Sequence, residues 1–273
     1  MTELTNEHGV VCASIDIIRD DTESWGIVVS WRRRVDGLPD AQAWNEALES
    51  SLTQCREKGA ALISSRVITA AEGVPNALVT ARAAMHRGSL SARGFRQCEG
   101  RVEYHMAVDE ALTALEAGEV TARLSWGCIN TDNESEVARA AELLRLAAEG
   151  DLESHARNDA LGYLKVLLDN HDTVKAPERV QVGAFDGVPA VVLLLVVDPS
   201  DGWSSIYYIG VLPEFRGRGL GAEAMLRGLL CLKAMGGRTY HDSTGTRNVA
   251  ALALFGRLGR PPWRIMEEWR LER

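Results

Sequence analysis

The sequence predicts a mixed α/β protein assembled from two related halves, and three observations carry that prediction. Stretches of period-two alternation take turns with stretches at helical spacing along all 273 residues. The order strand, helix, strand, helix, strand occurs in both halves. A local phrase recurs as well: Glu46-Ala47-Leu48, opening a helix that reaches Cys55 and Gly59, is matched by Glu223-Ala224-Met225 leading to Cys231 and Gly236. Such recurrence points to an internal duplication. The length suits two domains, because cores usually divide once chains pass a few hundred residues.

In the first half, strands are expected at 10–18 and 25–31, a helix at 41–58, a strand at 60–68, a helix at 76–87 and a strand at 101–108. The Ala- and Glu-rich stretch 110–120 reads as a helical connector. The expected domains are therefore 1–110 and 120–273. The second opens with a short strand at 123–129 and helices at 134–149 and 159–169. Strands at 180–185 and 189–197 flank Asp186-Gly187, a hairpin signal. A third strand, 203–211, sets Tyr207, Ile209 and Val211 on one side and Ile206 and Tyr208 on the other. Pro213 ends pairing, and apolar residues at helical spacing then fill 222–235, closed by Gly236-Gly237. A strand at 238–243, a helix at 248–258 and a strand at 263–271 complete the order.

Bulk composition excludes several classes of function. With 46% hydrophobic and 25% charged residues, the chain is globular, and its longest apolar run, 188–197, is interrupted by Pro189. A membrane span would need about 18 uncharged apolar residues. The first residues, Met1-Thr2-Glu3-Leu4-Thr5-Asn6-Glu7, have no basic-then-apolar export signal, so a cytoplasmic protein is expected. Five scattered cysteines without a C-x-x-C pair argue against both a disulfide framework and a zinc site, so no metal is expected. A net charge of -8 disfavours nucleic-acid binding. Nothing in the composition opposes a homodimer.

The stretch Arg216-Gly217-Arg218-Gly219-Leu220-Gly221 lies between a strand and a helix. Glycines there allow close backbone approach, so amide N–H groups converge on an anion, and the helix adds its positive end. A pyrophosphate suits that place, with Arg216 and Arg218 bringing cationic side chains to it. No Lys-Ser or Lys-Thr follows, which excludes a P-loop, and the G-x-G-x-G spacing with some 50 residues left does not suit a Rossmann unit.

These residues resemble a known family. Val211-x-Pro213-Glu214-x-Arg216-Gly217-x-Gly219-x-Gly221 is similar to the coenzyme A signature of the GNAT N-acetyltransferase superfamily, whose core is R/Q-x-x-G-x-G/A. A second element, Asn248-x-x-Ala251-x-x-Leu254-Phe255-x-x-Leu258-Gly259, resembles the family's later helix. The resemblance spans about 120–273 and implies a mixed, mostly antiparallel sheet flanked by helices. The first half resembles a degenerate copy, in which Gly94-Phe95 and Arg101-Val102-Glu103-Tyr104 look like the closing elements. At its own loop position stand Trp31-Arg32-Arg33-Arg34-Val35-Asp36-Gly37-Leu38-Pro39, where one glycine cannot build the cradle. That half is expected to bind no CoA and to shape a substrate cleft or an interface.

What the resemblance implies chemically is acyl transfer, most simply acetyl from acetyl-CoA, to the amine of an acceptor by direct attack. Pantetheine would enter between strands 203–211 and 238–243, pairing near Ile209 and Val211, with the Val211 N–H as oxyanion donor. Cofactor contacts are expected from Ile209, Val211, Arg216, Gly217, Arg218, Gly219, Leu220, Gly221, Asn248 and Phe255, and chemistry from Val211, His241 and Tyr208. Asn248 suits a helix N-cap equally well. An alkylamine with pKa about 10.4 must lose a proton before attack, at about 4.6 kcal/mol at neutral pH, so a base or water chain is needed. Phe255 stands where many family members carry the tyrosine that protonates the leaving thiolate; Tyr240, Tyr208, Ser243 or a water would have to substitute. Two other classes fit less of the pattern: a non-catalytic acyl-CoA-binding regulatory module, and a nucleotide-phosphate enzyme.

Overall fold

The computed structural model describes residues 1–19, 25–32, 35–71, 73–150, 155–170 and 172–272. In chain order, the first elements are β1 (Thr2–Thr5), β2 (Val11–Arg19), β3 (Trp25–Trp31), α1 (Ala41–Glu57), β4 (Leu62–Ala71), α2 (Asn76–Ser91), β5 (Arg96–Ala107) and α3 (Val108–Ala117). There follow β6 (Leu124–Cys128), α4 (Glu134–Ala147), α5 (Ala160–Asp169), β7 (Val180–Phe185), β8 (Val188–Val197) and β9 (Trp203–Val211). Last come α6 (Leu220–Ala234), β10 (Thr239–Gly245), α7 (Val249–Phe255) and β11 (Arg264–Glu272). Strands paired mostly antiparallel and flanked by helices are the fold class expected from sequence. Arg33 and Arg34 of the basic turn lie outside the described residues.

The chain forms two compact units, the first made of Met1–Glu103, Gly245–Arg247 and Pro262–Arg273, the second of Tyr104–Thr244 and Asn248–Pro261. Two features depart from the division expected at 110–120. The segment expected as a connector is α3, which packs on α6 inside the second unit. The final strand, counted by its sequence position with the second domain, instead pairs antiparallel with both β4 and β5 in the first unit. Alternation marks a strand but carries no information about which neighbour it pairs with.

In the first unit the strands run in the order β1-β2-β3-β4-β11-β5. Trp44, Leu48, Leu52 and Cys55 of α1 are fully buried and pack with Ile15, Ile27 and Val67 of the sheet. Each such side chain contributes about 1.5–3 kcal/mol through its removal from water.

The second unit carries the order β6-β7-β8-β9-β10. Asp186 and Gly187 join β7 to β8 with φ of 51° and 78°, the two positive values that a tight hairpin turn requires. β8 is buried on both faces: Val192, Leu194 and Val196 pack against α4 and α5, while Leu195 faces α6. Helix α6 lies close to the sheet because Gly228 has no side chain; a Cβ there would stand 2.7 Å from Ile206.

The recurring phrase has a structural counterpart. Ala47 and Leu48 of α1, like Ala224 and Met225 of α6, are buried, as are Cys55 and Cys231 one to two turns on. Gly59 and Gly236 then end the two helices with φ of 78° and 93°.

Candidate functional site

The site is built where β9 and β10 part. The strands run parallel and pair only at Thr239↔Trp203 and Tyr240↔Ser204. That end is closed by Ser204 Oγ donating to the Thr239 carbonyl at 2.8 Å and by Arg238 N–H donating to Gly202 O at 2.8 Å. Beyond it the strands diverge. On its other edge β9 stays paired with β8: Leu212 N–H donates to Ala190 O at 2.9 Å, and the register sets Gly210 opposite Val192. Antiparallel strands alternate bonded and non-bonded pairs, so Ile209 and Val211, opposite Leu193 and Val191, turn their N–H and C=O away from β8 and toward the divergence. A bulge adds to this. Between Leu194↔Tyr208 and Val196↔Ser205, Ile206 and Tyr207 together oppose Leu195, which re-aims the residues beyond. The simple alternation expected over 203–211 breaks there: Ile206 is buried against α6, and Tyr207 and Tyr208 both reach Tyr163 of α5, at 5.5 and 6.5 Å between centroids.

At the end of β9 the chain passes through a single tight turn, Pro213–Phe215, into the glycine loop. Gly217 and Gly219 have φ of 74° and 76°, where a side chain is strained, and a Cβ on Gly217 would meet nothing. Helix α6 starts from Gly219 with no side chain capping its first amides. The Ala222 N–H turns back to Gly219 O at 3.3 Å, and among the described residues no side chain caps the start of the helix or offsets its positive end. The counterpart helix of the first unit is built differently: Asp40 accepts hydrogen bonds from the Gln42 and Ala43 amides at 2.9 Å, and its carboxylate fills the place an anion would take.

The arginines do not behave as their position in the motif suggested. The Arg216 guanidinium turns away from the loop, donating from Nε to Val211 O at 3.0 Å and from Nη2 to Ala147 O and Glu149 O at 2.9 and 2.8 Å. It therefore ties the C-terminal end of α4 to the end of β9. Arg218 donates to Glu214 O at 3.2 Å and lies over the neighbouring rings of Phe185 and Phe215, 5.6 and 5.4 Å from their centroids. A cation that sequence spacing did not reveal also stands at the loop: Arg123 Nη2 lies 3.4 Å from where a Gly219 Cβ would stand. Arg123 is held there through its backbone. The buried carboxylate of Glu223, in the first turns of α6, accepts the Arg123 and Leu124 N–H groups at 2.9 and 2.8 Å.

Along β10, His241 packs between the rings of Trp203 and His105, each 5.9 Å away. Tyr208 lies against Gly210, where any Cβ would stand 2.6 Å from its ring and 2.7 Å from Ala147. Tyr240, one of the expected substitute acids, is fully buried and donates its hydroxyl to Asp242 at 2.9 Å. Burial, and then the charge and hydrogen bond of Asp242, hold that phenol well above its ordinary range, so it is locked on its neighbour. Asn248 caps α7, its Oδ1 accepting from Ala251 N–H at 3.1 Å. Phe255, at the end of α7, is buried against Tyr104, with centroids 4.7 Å apart. Tyr104 was not singled out as a site residue, since nothing local in β5 marks it. Burial raises its phenol, and its hydroxyl has no hydrogen-bond partner among the described residues.

Among the described residues no three His, Cys, Asp or Glu side chains gather so as to hold a metal ion, and no helix is long and apolar enough to cross a membrane.

Comparisons with known proteins agree with this geometry. Residues 145–259, which run from α4 through the loop to the end of α7, match the sequence profile of the Acetyltransferase (GNAT) family. No curated protein sequence matches the chain significantly. Among solved structures, a GCN5-related N-acetyltransferase from Sphaerobacter thermophilus superposes with a TM-score of 0.62 at 14% identity, over 97% of this chain and 78% of that one. A GCN5-related N-acetyltransferase from Kribbella flavida gives 0.60 at 16% identity, over 98% and 89%. A tandem GNAT protein from the clavulanic acid biosynthesis pathway gives 0.56 at 15% identity, over 98% and 81%. The chain thus has the fold of the GNAT acetyltransferases, and its residues 145–259 match that family's model.

Proposed function

We propose that the second unit binds acyl-CoA, most simply acetyl-CoA, at the divergence of β9 and β10 and transfers the acyl group to the amine of an acceptor. The observation that carries this is the uncapped start of α6 at Gly219, next to strands that part after two residue pairs. Free helix-terminal amides are an anion site, and diverging parallel strands leave edge N–H and C=O groups for an extended amide-bearing chain. In this proposal the amides of residues 217–221 receive the pyrophosphate, Arg123 adds the nearby positive charge, and Ile209 and Val211 pair with pantetheine. Leu220 and Gly221 open the helix, while Asn248 and Phe255 shape α7 beside it.

The chemistry then falls to a small set of groups. The Val211 N–H lies where oxygen charge develops as nitrogen attacks the thioester carbon. His241, or Tyr208 through water, relays the proton that the attacking ammonium must lose. When the C–S bond breaks, the electron pair stays on sulfur, and Tyr104 beside Phe255 is the donor that supplies its proton. A CoA thiol with a cysteine-like pKa of about 8.5 is a tolerable leaving group, so this last step asks little of the acid. The test is calorimetric titration with CoA and acetyl-CoA, followed by free-thiol release across an amine panel. Absence of CoA binding defeats the proposal; binding without amine-dependent thiol release defeats its catalytic part.

A further inference from the structure

The first unit repeats the parting of strands without the phosphate loop. β3 and β4 run parallel and pair at Trp25↔Ile63, Gly26↔Ser64 and Ile27↔Ser65 only. A cavity of about 360 Å³ opens at the next residue, walled by residues 28–31 of β3, by Ile68 and Ala71 of β4, by Val79 and Arg82 of α2, and by Trp263. That volume lies within the range of small-molecule pockets. It is unsuited to a nucleotide: Asp40 already occupies the α1 amides, and the one glycine of the preceding loop, Gly37, lies against Asn6.

Apart from Ser30, the walls are aliphatic and indole except for two arginines, which differ in their state. Arg264 is neutralised by Glu103, 2.7 Å away. Arg82 is 4% exposed, donates from Nη2 to the carbonyls of Arg32 and Val35 at 3.2 and 2.6 Å, lies over the Trp31 ring at 4.9 Å, and forms no ion pair among the described residues. Its Nε–H is buried and has no hydrogen-bond partner among the described residues. A buried guanidinium with no counter-charge is costly and is normally compensated by an anion. Desolvation accordingly depresses the Arg82 pKa from its ordinary value, with Cys12 and Asp36 offsetting only part of the effect.

We propose that this cavity binds a small apolar carboxylate, its hydrocarbon or aryl part against the aliphatic and indole walls and its anionic end compensating Arg82. The proposal does not depend on the function assigned to the second unit, because every residue involved belongs to the first.

The test uses hexanoate and phenylacetate as probes and their neutral amides, hexanamide and phenylacetamide, as controls, titrated into the full chain by calorimetry. The carboxylates are expected to bind at least tenfold more tightly than the amides, and saturating CoA is expected not to displace them. Arg82→Met should abolish the preference. Because Arg82 also holds two carbonyls, a second variant, Ala71→Phe, fills the cavity while leaving Arg82 in place; it should lose carboxylate binding with an unchanged circular dichroism spectrum. Equal affinity for acids and amides, no binding at millimolar concentration, displacement by CoA, or full binding by folded Ala71→Phe would each overturn the proposal.

Discussion

Arg216 offers a sharp test, because its motif position and its observed contacts predict opposite phenotypes. If the guanidinium served the phosphate, Arg216→Ala would lower CoA affinity and leave stability almost untouched. The structure shows it donating three hydrogen bonds to carbonyl oxygens, two of them at the C-terminal end of α4. Charged donors are worth about 1.5–3 kcal/mol each in mutational series, but the side chain is exposed, so water recovers much of that. The favourable meeting of a cation with a helix C-terminus adds about 0.3–1 kcal/mol. A net loss of about 2–3 kcal/mol is expected, or roughly 5–10 °C in Tm for a unit of this size. Thermal unfolding and CoA calorimetry on one preparation decide it: Tm should fall by that amount while CoA affinity, measured well below Tm, changes less than about threefold. An unchanged Tm with a tenfold loss of affinity would refute the contacts described.

The remaining predictions follow from the same geometry. Gly219→Glu should abolish CoA binding in calorimetry, since the position has φ of 76° and the new carboxylate would stand at the uncapped amides, yet the variant should remain folded by circular dichroism. Tyr104→Phe should lower kcat for amine acylation by about 10²-fold or more if it protonates the thiolate, and Phe255→Tyr in that background should restore part of it; an unchanged kcat in Tyr104→Phe removes Tyr104 from the mechanism. His86 is buried beside Trp44 and Ser65, and burial pulls its imidazole from 6.5 down to about 4. The unfolded chain therefore takes up a proton below pH 6.5 that the folded chain refuses until about pH 4, so stability is fully present above 6.5 and lost across that window. Urea unfolding should show about 2 kcal/mol lost from this group between pH 7 and pH 5, and His86→Gln should remove that part of the slope.

Much of the fold was legible because its signals are local. Asp186-Gly187 demanded a tight turn, Pro213 and the glycines marked a break between strand and helix, and the two Glu-Ala phrases ending at Gly59 and Gly236 marked equivalent helices. Tertiary choices were not legible. Whether a loop arginine turns to a phosphate or to a helix end depends on where α4 stops, and the two segments are far apart in sequence. The same holds for Tyr104, which meets Phe255 only through the fold, and for β11, whose alternation is that of any half-buried strand. The loop itself was read correctly as glycine-rich and strand-to-helix; its lack of a capping side chain became informative only beside Asp40, which performs that role in the other unit.

The position of β11 has a consequence for how the protein is made. During synthesis the first unit emerges with β4 and β5 already complete, but the strand that pairs with both of them is encoded after the whole of the second unit. Until then each presents a row of unpaired N–H and C=O groups, the kind of edge that recruits stray strands. The first unit to be translated is thus the last to close, and a chain halted before residue 264 should leave the ribosome with a finished second unit and an open first one.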